Sequence, residues 1–214
     1  MAPAVRCRPE LCHNGRMTNT ILFVTGNKGK VAFMQHYLDD AGIDIAVESV
    51  TLDIKEVQAD TALEVAREKA LEAFRILKKP LVVDDSEFRI IALNGFPGPY
   101  QKYMVHTIGA EGLVRLMDGY DDRRAYFVSN LVFVDADGSL HEFSDDPFNV
   151  TVVERYDDSV PDYAWGPLGK VCVMEGTDKV LSLLAPEERT ALEKKRGAVD
   201  AYQRFCAWYK EYHV

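Results

Sequence analysis

No stretch of this 214-residue chain approaches the ~20 consecutive apolar residues that a membrane-spanning helix needs, which excludes an integral helical membrane protein. It also has little positive charge: 25 Lys and Arg stand against 34 Asp and Glu, a net charge of -9. Without an extended basic stripe, an acidic surface repels long nucleic acid, although a local group of lysines and backbone amides could still grip a small polyanion. The four cysteines, Cys7, Cys12, Cys172 and Cys206, form no Cys-x-x-Cys pair, and no histidine stands at zinc-ligand spacing from them. They read as free thiols of a reducing cytoplasm. The histidines, at 13, 36, 106, 141 and 213, are scattered, which argues against a histidine metal site. Internal repeats and low-complexity stretches are missing as well.

What is present is an ordinary globular balance, 47% hydrophobic and 28% charged. Residues 1–16 carry neither helical nor strand periodicity and no apolar core of a secretory signal; they read as a disordered extension ahead of a single domain over 17–214. From Ile21 the pattern alternates. An apolar strand over 21–24 ends in Thr25-Gly26-Asn27-Lys28-Gly29-Lys30, and a helix follows with Val31, Met34, Tyr37 and Leu38 on one face. A second strand is expected over 45–52. Thr61, with Glu64 at the capping-box position, opens a helix over about 62–77, and Pro80 marks its end. Leu81-Val82-Val83 is a third strand, ending at Asp84-Asp85-Ser86. Residues 108–118 read as a helix. Ala125–Val134 reads as a strand that turns at Asp135–Gly138 into strands over 139–143 and 148–155. Helices over 177–184 and 187–212 complete the pattern, that of an α/β chain with a mixed sheet.

Two segments carry chemistry on their own account. A short polar turn between strand and helix offers backbone N–H groups and the positive end of a helix dipole, and Lys30 adds a charge; the spacing is not that of a P-loop, and the turn alone is equally a structural connection. Asp84 and Asp85 are costly if both are buried and unpaired, a cost that a divalent cation on oxygen ligands relieves; alone they are equally a solvated acidic turn. Glu56 is a candidate third carboxylate. Lys69, near Ala66, Ala70 and Ala73, is read either as part of this group or as an exposed helix lysine.

Together these pieces stand in a known order. Thr25-Gly26-Asn27-x-x-Lys30, Asp53–Gln58, Glu64–Ala70, Val82–Ser86 and Asn94-Gly95-Phe96-Pro97-Gly98-Pro99-Tyr100 resemble the Ham1-like inosine/xanthosine triphosphate pyrophosphatases closely over residues 20–105, and again at Glu175–Lys179 and Ala185–Arg189. The resemblance implies an elongated α/β fold with a long mixed sheet, two lobes around a cleft, and usually a homodimer. It implies Mg²⁺-dependent hydrolysis of a nucleoside triphosphate to monophosphate and pyrophosphate, Mn²⁺ being a possible substitute. By resemblance Thr25, Gly26, Asn27 and Lys30 hold the phosphates with Lys69 and Ser86; Glu56, Asp84 and Asp85 hold the metal; and Asp85 activates the attacking water, with Lys30 and Glu56 assisting.

Two segments depart from the family pattern. Where the family has Ser-His-Arg before its last helix, this chain has Glu193-Lys194-Lys195, so lysines stand in place of the base-reading His and Arg. The family's Phe-Gly-(Tyr/Trp)-Asp-Pro segment is replaced by Ala164-Trp165-Gly166-Pro167-Leu168-Gly169, with no Asp; Trp165 is either a stacking face for the base or a packed aromatic. Lys lacks the planar fork of Arg. A changed base preference is expected. The alternatives are a nucleotide-binding protein without turnover and a hydrolase of another phosphorylated small molecule.

Overall fold

A computed structural model describes residues 20–161, 166–197 and 199–213. Strand β1 (Thr20–Val24) leads into helix α1 (Lys28–Asp40), β2 (Ala46–Val50), α2 (Ala62–Leu77) and β3 (Leu81–Ile90). After a two-residue β4 (Pro97–Gly98) come α3 (Gln101–Thr107), α4 (Gly109–Leu116) and the meander β5 (Arg124–Val134), β6 (Leu140–Ser144) and β7 (Phe148–Val152). Strand β8 (Cys172–Met174) and helices α5 (Pro186–Arg196) and α6 (Ala201–His213) follow. The strands form one mixed sheet in the order β2-β1-β3-β5-β7-β8, with β4 on β3 and β6 on β5. β1 runs parallel to β2 and β3, and the other ladders are antiparallel.

Strand alternation sorts the sheet into two faces. On one face, Leu81, Val83, Val132 and Val134 pack under Ala66, Ala70 and Ala73 of α2. Small residues there let the helix lie close to the sheet. The other face carries two separate clusters. Val82, Leu131 and Phe133 pack under α1 and α6 with Met34, Leu38 and Phe205. Phe88, Ile90 and Phe127 pack under α3 and α4 with Met104 and Leu113. Between these clusters along β3 lie Asp84 and Ser86, the polar interval that separates two apolar bodies.

Helix α2 spans the expected residues, and its capping box is formed: Thr61 accepts from the Glu64 amide while the Glu64 carboxylate takes the Thr61 amide. Three expectations are corrected. β3 does not end at Asp84 but runs to Ile90, because its ladder with β5 continues through every residue from Leu81 to Ile90. The polar run hid this, although Phe88 and Ile90 resume the buried face. The segment 177–184 holds only a 3₁₀ turn, Leu181–Leu183. The helix expected over 187–212 is two helices, since Gly197 takes φ +63°, a left-handed backbone that ends α5. The expected disorder of residues 1–16 lies outside the described residues.

Candidate active site

The site begins where β1 stops and β3 does not. β1 ends at Val24, paired with β3 only at its start, so from Asp84 to Glu87 the sole partner strand of β3 among the described residues is β5. Along this open edge lies the Thr25–Lys30 turn. Helix α1 starts at Lys28, earlier than the turn's sequence suggests, because Asn27 is its N-cap: the Asn27 Oδ1 accepts from the Gly29 amide at 2.9 Å. The Asn27 amide in turn donates to Thr25 Oγ1 at 3.0 Å. Gly26 and Asn27 are exposed and Thr25 is half-buried. The amides of Lys28 and Lys30 thus begin the helix without intrahelical acceptors, at its positive end.

Lys30, on the first turn, reaches across to Asp84, its Nζ 3.0 Å from Oδ1 and 3.4 Å from the main-chain oxygen. The Asp84 side chain is 5% exposed, and its other oxygen accepts the hydroxyl of Tyr202 from α6. On the opposite face of β3, Asp85 accepts the Ser86 amide at 2.8 Å. Burial pushes the Asp85 carboxyl up to about 6; the Ser86 amide and the Lys69 charge pull it down, and the Glu56 charge adds to the rise. Glu56 itself pairs with Lys69 at 2.8 Å, which holds its carboxyl below the usual range. Ser86 is fixed from α3, where Gln101 Nε2 donates to the Ser86 main-chain oxygen at 3.0 Å and to its hydroxyl at 3.1 Å.

The structure therefore gathers Lys30, Glu56, Lys69, Asp84, Asp85 and Ser86 around the free stretch of β3, but it does not form the expected metal triad. Among the described residues, no group of three acidic, histidine or cysteine side chains assembles to hold a metal. Asp84 drops out for a plain reason: adjacent strand residues point to opposite faces, and Asp84 is occupied by Lys30 and Tyr202. Glu56 and Asp85 remain as a donor pair. Their hard oxygens fit Mg²⁺ or Mn²⁺, because a cation between them would relieve both the desolvation of Asp85 and the repulsion it feels from Glu56. Magnesium commonly takes one or two carboxylates together with substrate phosphates, so a pair suffices.

Of the base-binding candidates, Lys195 lies on the wall of a cavity of about 380 Å³ with Asn149, Met174, Glu175 and Leu192. Lys194 is exposed on the same helix. Trp165 lies outside the described residues.

Three neighbours escaped the sequence reading. Tyr202 and Gln101 gave no signal, being ordinary helix residues until the fold brings them to Asp84 and Ser86. Asn130 did give one, a polar residue inside an apolar strand. It sits directly across from Asp85, buried, with its Oδ1 accepting the Ser144 hydroxyl at 2.7 Å.

Comparison with known proteins adds an independent line. A model of the Ham1 family matches residues 21–205. The dITP/XTP pyrophosphatase of Methanopyrus kandleri is 34% identical over 190 residues, 89% of this chain and 96% of that protein. Inosine triphosphate pyrophosphatase 2 of Trypanosoma cruzi is 42% identical over 112 residues, 52% of this chain and 56% of its own length. Among solved structures, a HAM1 protein from Coxiella burnetii superposes with a TM-score of 0.73 over 91% of this chain and 100% of that one, at 20% identity, a likeness of fold.

Proposed function

Because this chain belongs to the Ham1 family, we propose that it hydrolyses nucleoside triphosphates to the monophosphate and pyrophosphate, with a divalent cation, and that its substrates are non-standard nucleotides. The observation that carries this reading is Asp85: a desolvated carboxylate whose proton affinity is raised to about 6, which feels the charges of Lys69, Glu56 and Lys30 on the stretch of β3 that Lys30 of the first turn of α1 reaches. Such a group is mostly ionised at neutral pH yet basic enough to take a proton from water.

In this mechanism the triphosphate lies against the Thr25–Lys30 turn. The first-turn amides and Lys30 neutralise its charge, and phosphoryl transfer needs that neutralisation and alignment more than covalent help. Lys69 and the Ser86 hydroxyl, held by Gln101, complete the phosphate contacts. Glu56 and Asp85 would hold Mg²⁺ or Mn²⁺, which when bound supplies further charge neutralisation at the phosphates. Asp85 takes a proton from the attacking water as the new P–O bond forms and the phosphoanhydride bond breaks, releasing pyrophosphate. The base would lie toward Lys195, with Lys194 nearby on α5; lysines in place of the family's His and Arg support a base preference shifted from that for ITP and XTP. Assembly as a cytoplasmic homodimer belongs to the same reading, and sedimentation of the purified chain checks the dimer.

The test of the base preference is a panel of NTPs and dNTPs, standard and modified, with pyrophosphate detection. The reading expects hydrolysis of a non-ITP, non-XTP nucleotide at least as fast as of these two. Cleavage of ITP and XTP far ahead of every other base would remove the altered preference while leaving the reaction in place.

A further inference from the structure

Tyr202 is the link between the C-terminal helix and the phosphate end of the site. It is 4% exposed, its ring packs against Phe33 and Tyr37 of α1 at centroid distances of 5.2 and 5.6 Å, and its hydroxyl donates to Asp84. Its helix is anchored firmly. The Ala201 amide at the start of α6 donates to Asp145 Oδ1 at 2.7 Å, and Asp200 caps the helix through the Gln203 amide at 2.8 Å while also accepting the Tyr37 hydroxyl. The hydroxyl of Tyr202 is thus delivered by a fixed scaffold to one oxygen of a nearly buried carboxylate whose other oxygen faces Lys30.

We propose that Tyr202 is a positioning residue for Lys30: by satisfying one oxygen of Asp84 it weakens that carboxylate's hold on the lysine, so that Lys30 can turn from Asp84 to the triphosphate. This rests on the reading of Lys30 as a phosphate ligand. The physical basis is competition. A carboxylate oxygen buried without a donor carries an uncompensated desolvation penalty, and a tighter grip on Lys30 relieves it. The phosphate must then break a stronger ion pair in order to recruit the lysine.

The experiment is calorimetric titration of inorganic tripolyphosphate, with Mg²⁺ present, into the full chain and five variants: Tyr202→Phe, Lys30→Ala, the two combined, Asp84→Asn, and Tyr202→Phe with Asp84→Asn. Tyr202→Phe keeps the packed ring and removes one oxygen. It should weaken binding about five- to tenfold, cause no further loss in the Lys30→Ala background, and recover when Asp84→Asn removes the competing charge. Wild-type binding by Tyr202→Phe, with Lys30→Ala weakened, would overturn the proposal and leave the role of Lys30 intact. An equal loss in both backgrounds would make Tyr202 merely structural. Wild-type binding by Lys30→Ala would overturn the reading beneath it. Asp84→Asn alone supplies the answer should Tyr202→Phe not fold: binding as tight as wild type or tighter is expected, and weaker binding contradicts the competition.

Discussion

Replacing Asp85 with Asn should make the protein inactive and more stable, and the gain should depend on pH. In the unfolded chain the Asp85 carboxyl titrates at its ordinary 3.8, whereas folding raises it to about 6. Below about pH 4 both states hold the proton, and the raised affinity contributes stability in full. As the pH climbs through about 6, the folded protein must ionise the group in a desolvated site that the unfolded chain does not impose, and that contribution is lost. A shift of about two pH units corresponds to about 3 kcal/mol, less whatever solvent relaxation around a half-buried side chain returns, so about 2–3 kcal/mol is expected. Asn stays neutral, is nearly the same shape, and its Oδ1 can still accept the Ser86 amide. Urea denaturation in EDTA at pH 4 and pH 8 would measure the effect: at most about 0.5 kcal/mol of difference at pH 4, and a variant about 2–3 kcal/mol more stable at pH 8, or about 4–12 °C in melting temperature. Turnover should fall at least 10²-fold with nucleotide still bound. A variant less stable at pH 8, equally stabilised at both pH values, or turning over within tenfold of wild type would refute the reasoning.

The remaining predictions concern the same stretch of chain. Turnover of the wild type should rise about tenfold per pH unit below about 6 and level off above it, since only ionised Asp85 accepts the proton; a flat profile from pH 5 to 8, measured by pyrophosphate release, contradicts this. Lys30→Ala should weaken every nucleotide in a binding panel alike, by roughly tenfold or more, because the lysine meets phosphate; a loss confined to one base would move Lys30 out of that role. Glu56→Gln should raise the Mg²⁺ concentration for half-maximal activity at least about tenfold, read from a metal titration at saturating nucleotide, whereas an unchanged requirement removes Glu56 from the cation. Thr61→Ala breaks the capping box of α2 and should cost about 1 kcal/mol in urea denaturation; a neutral effect would mean that packing alone fixes the start of that helix.

The placement of the residues proposed to hold phosphate was legible because it is local. Asn27 caps the helix that carries Lys30, Thr61 and Glu64 open the helix that carries Lys69, and short apolar runs mark β1 and the start of β3. What was hidden depends on pairing at a distance. Nothing in Asp84-Asp85-Ser86 says that the strand continues, since the ladder with β5 decides it, and that continuation is what turns Asp84 and Asp85 to opposite faces. A three-carboxylate metal site suits a turn, whereas the strand turns Asp84, already paired with Lys30 and Tyr202, away from Asp85. Tyr202 lies 118 residues from its partner, and an interior tyrosine on an amphipathic helix reads as core until the helix is docked. The break at Gly197 was missed although a glycine directly after Lys194-Lys195-Arg196 is an ordinary helix stop signal; its left-handed backbone shows where α5 stops.

The central claim is that a phosphoanhydride bond is cleaved so as to leave monophosphate and pyrophosphate. Anion-exchange separation of the products formed by the Mg²⁺-loaded protein from its best nucleotide tests this most directly. Equimolar nucleoside monophosphate and pyrophosphate are predicted, with no diphosphate at any time point. Accumulation of diphosphate and inorganic phosphate, or no product across the whole nucleotide panel, would contradict it.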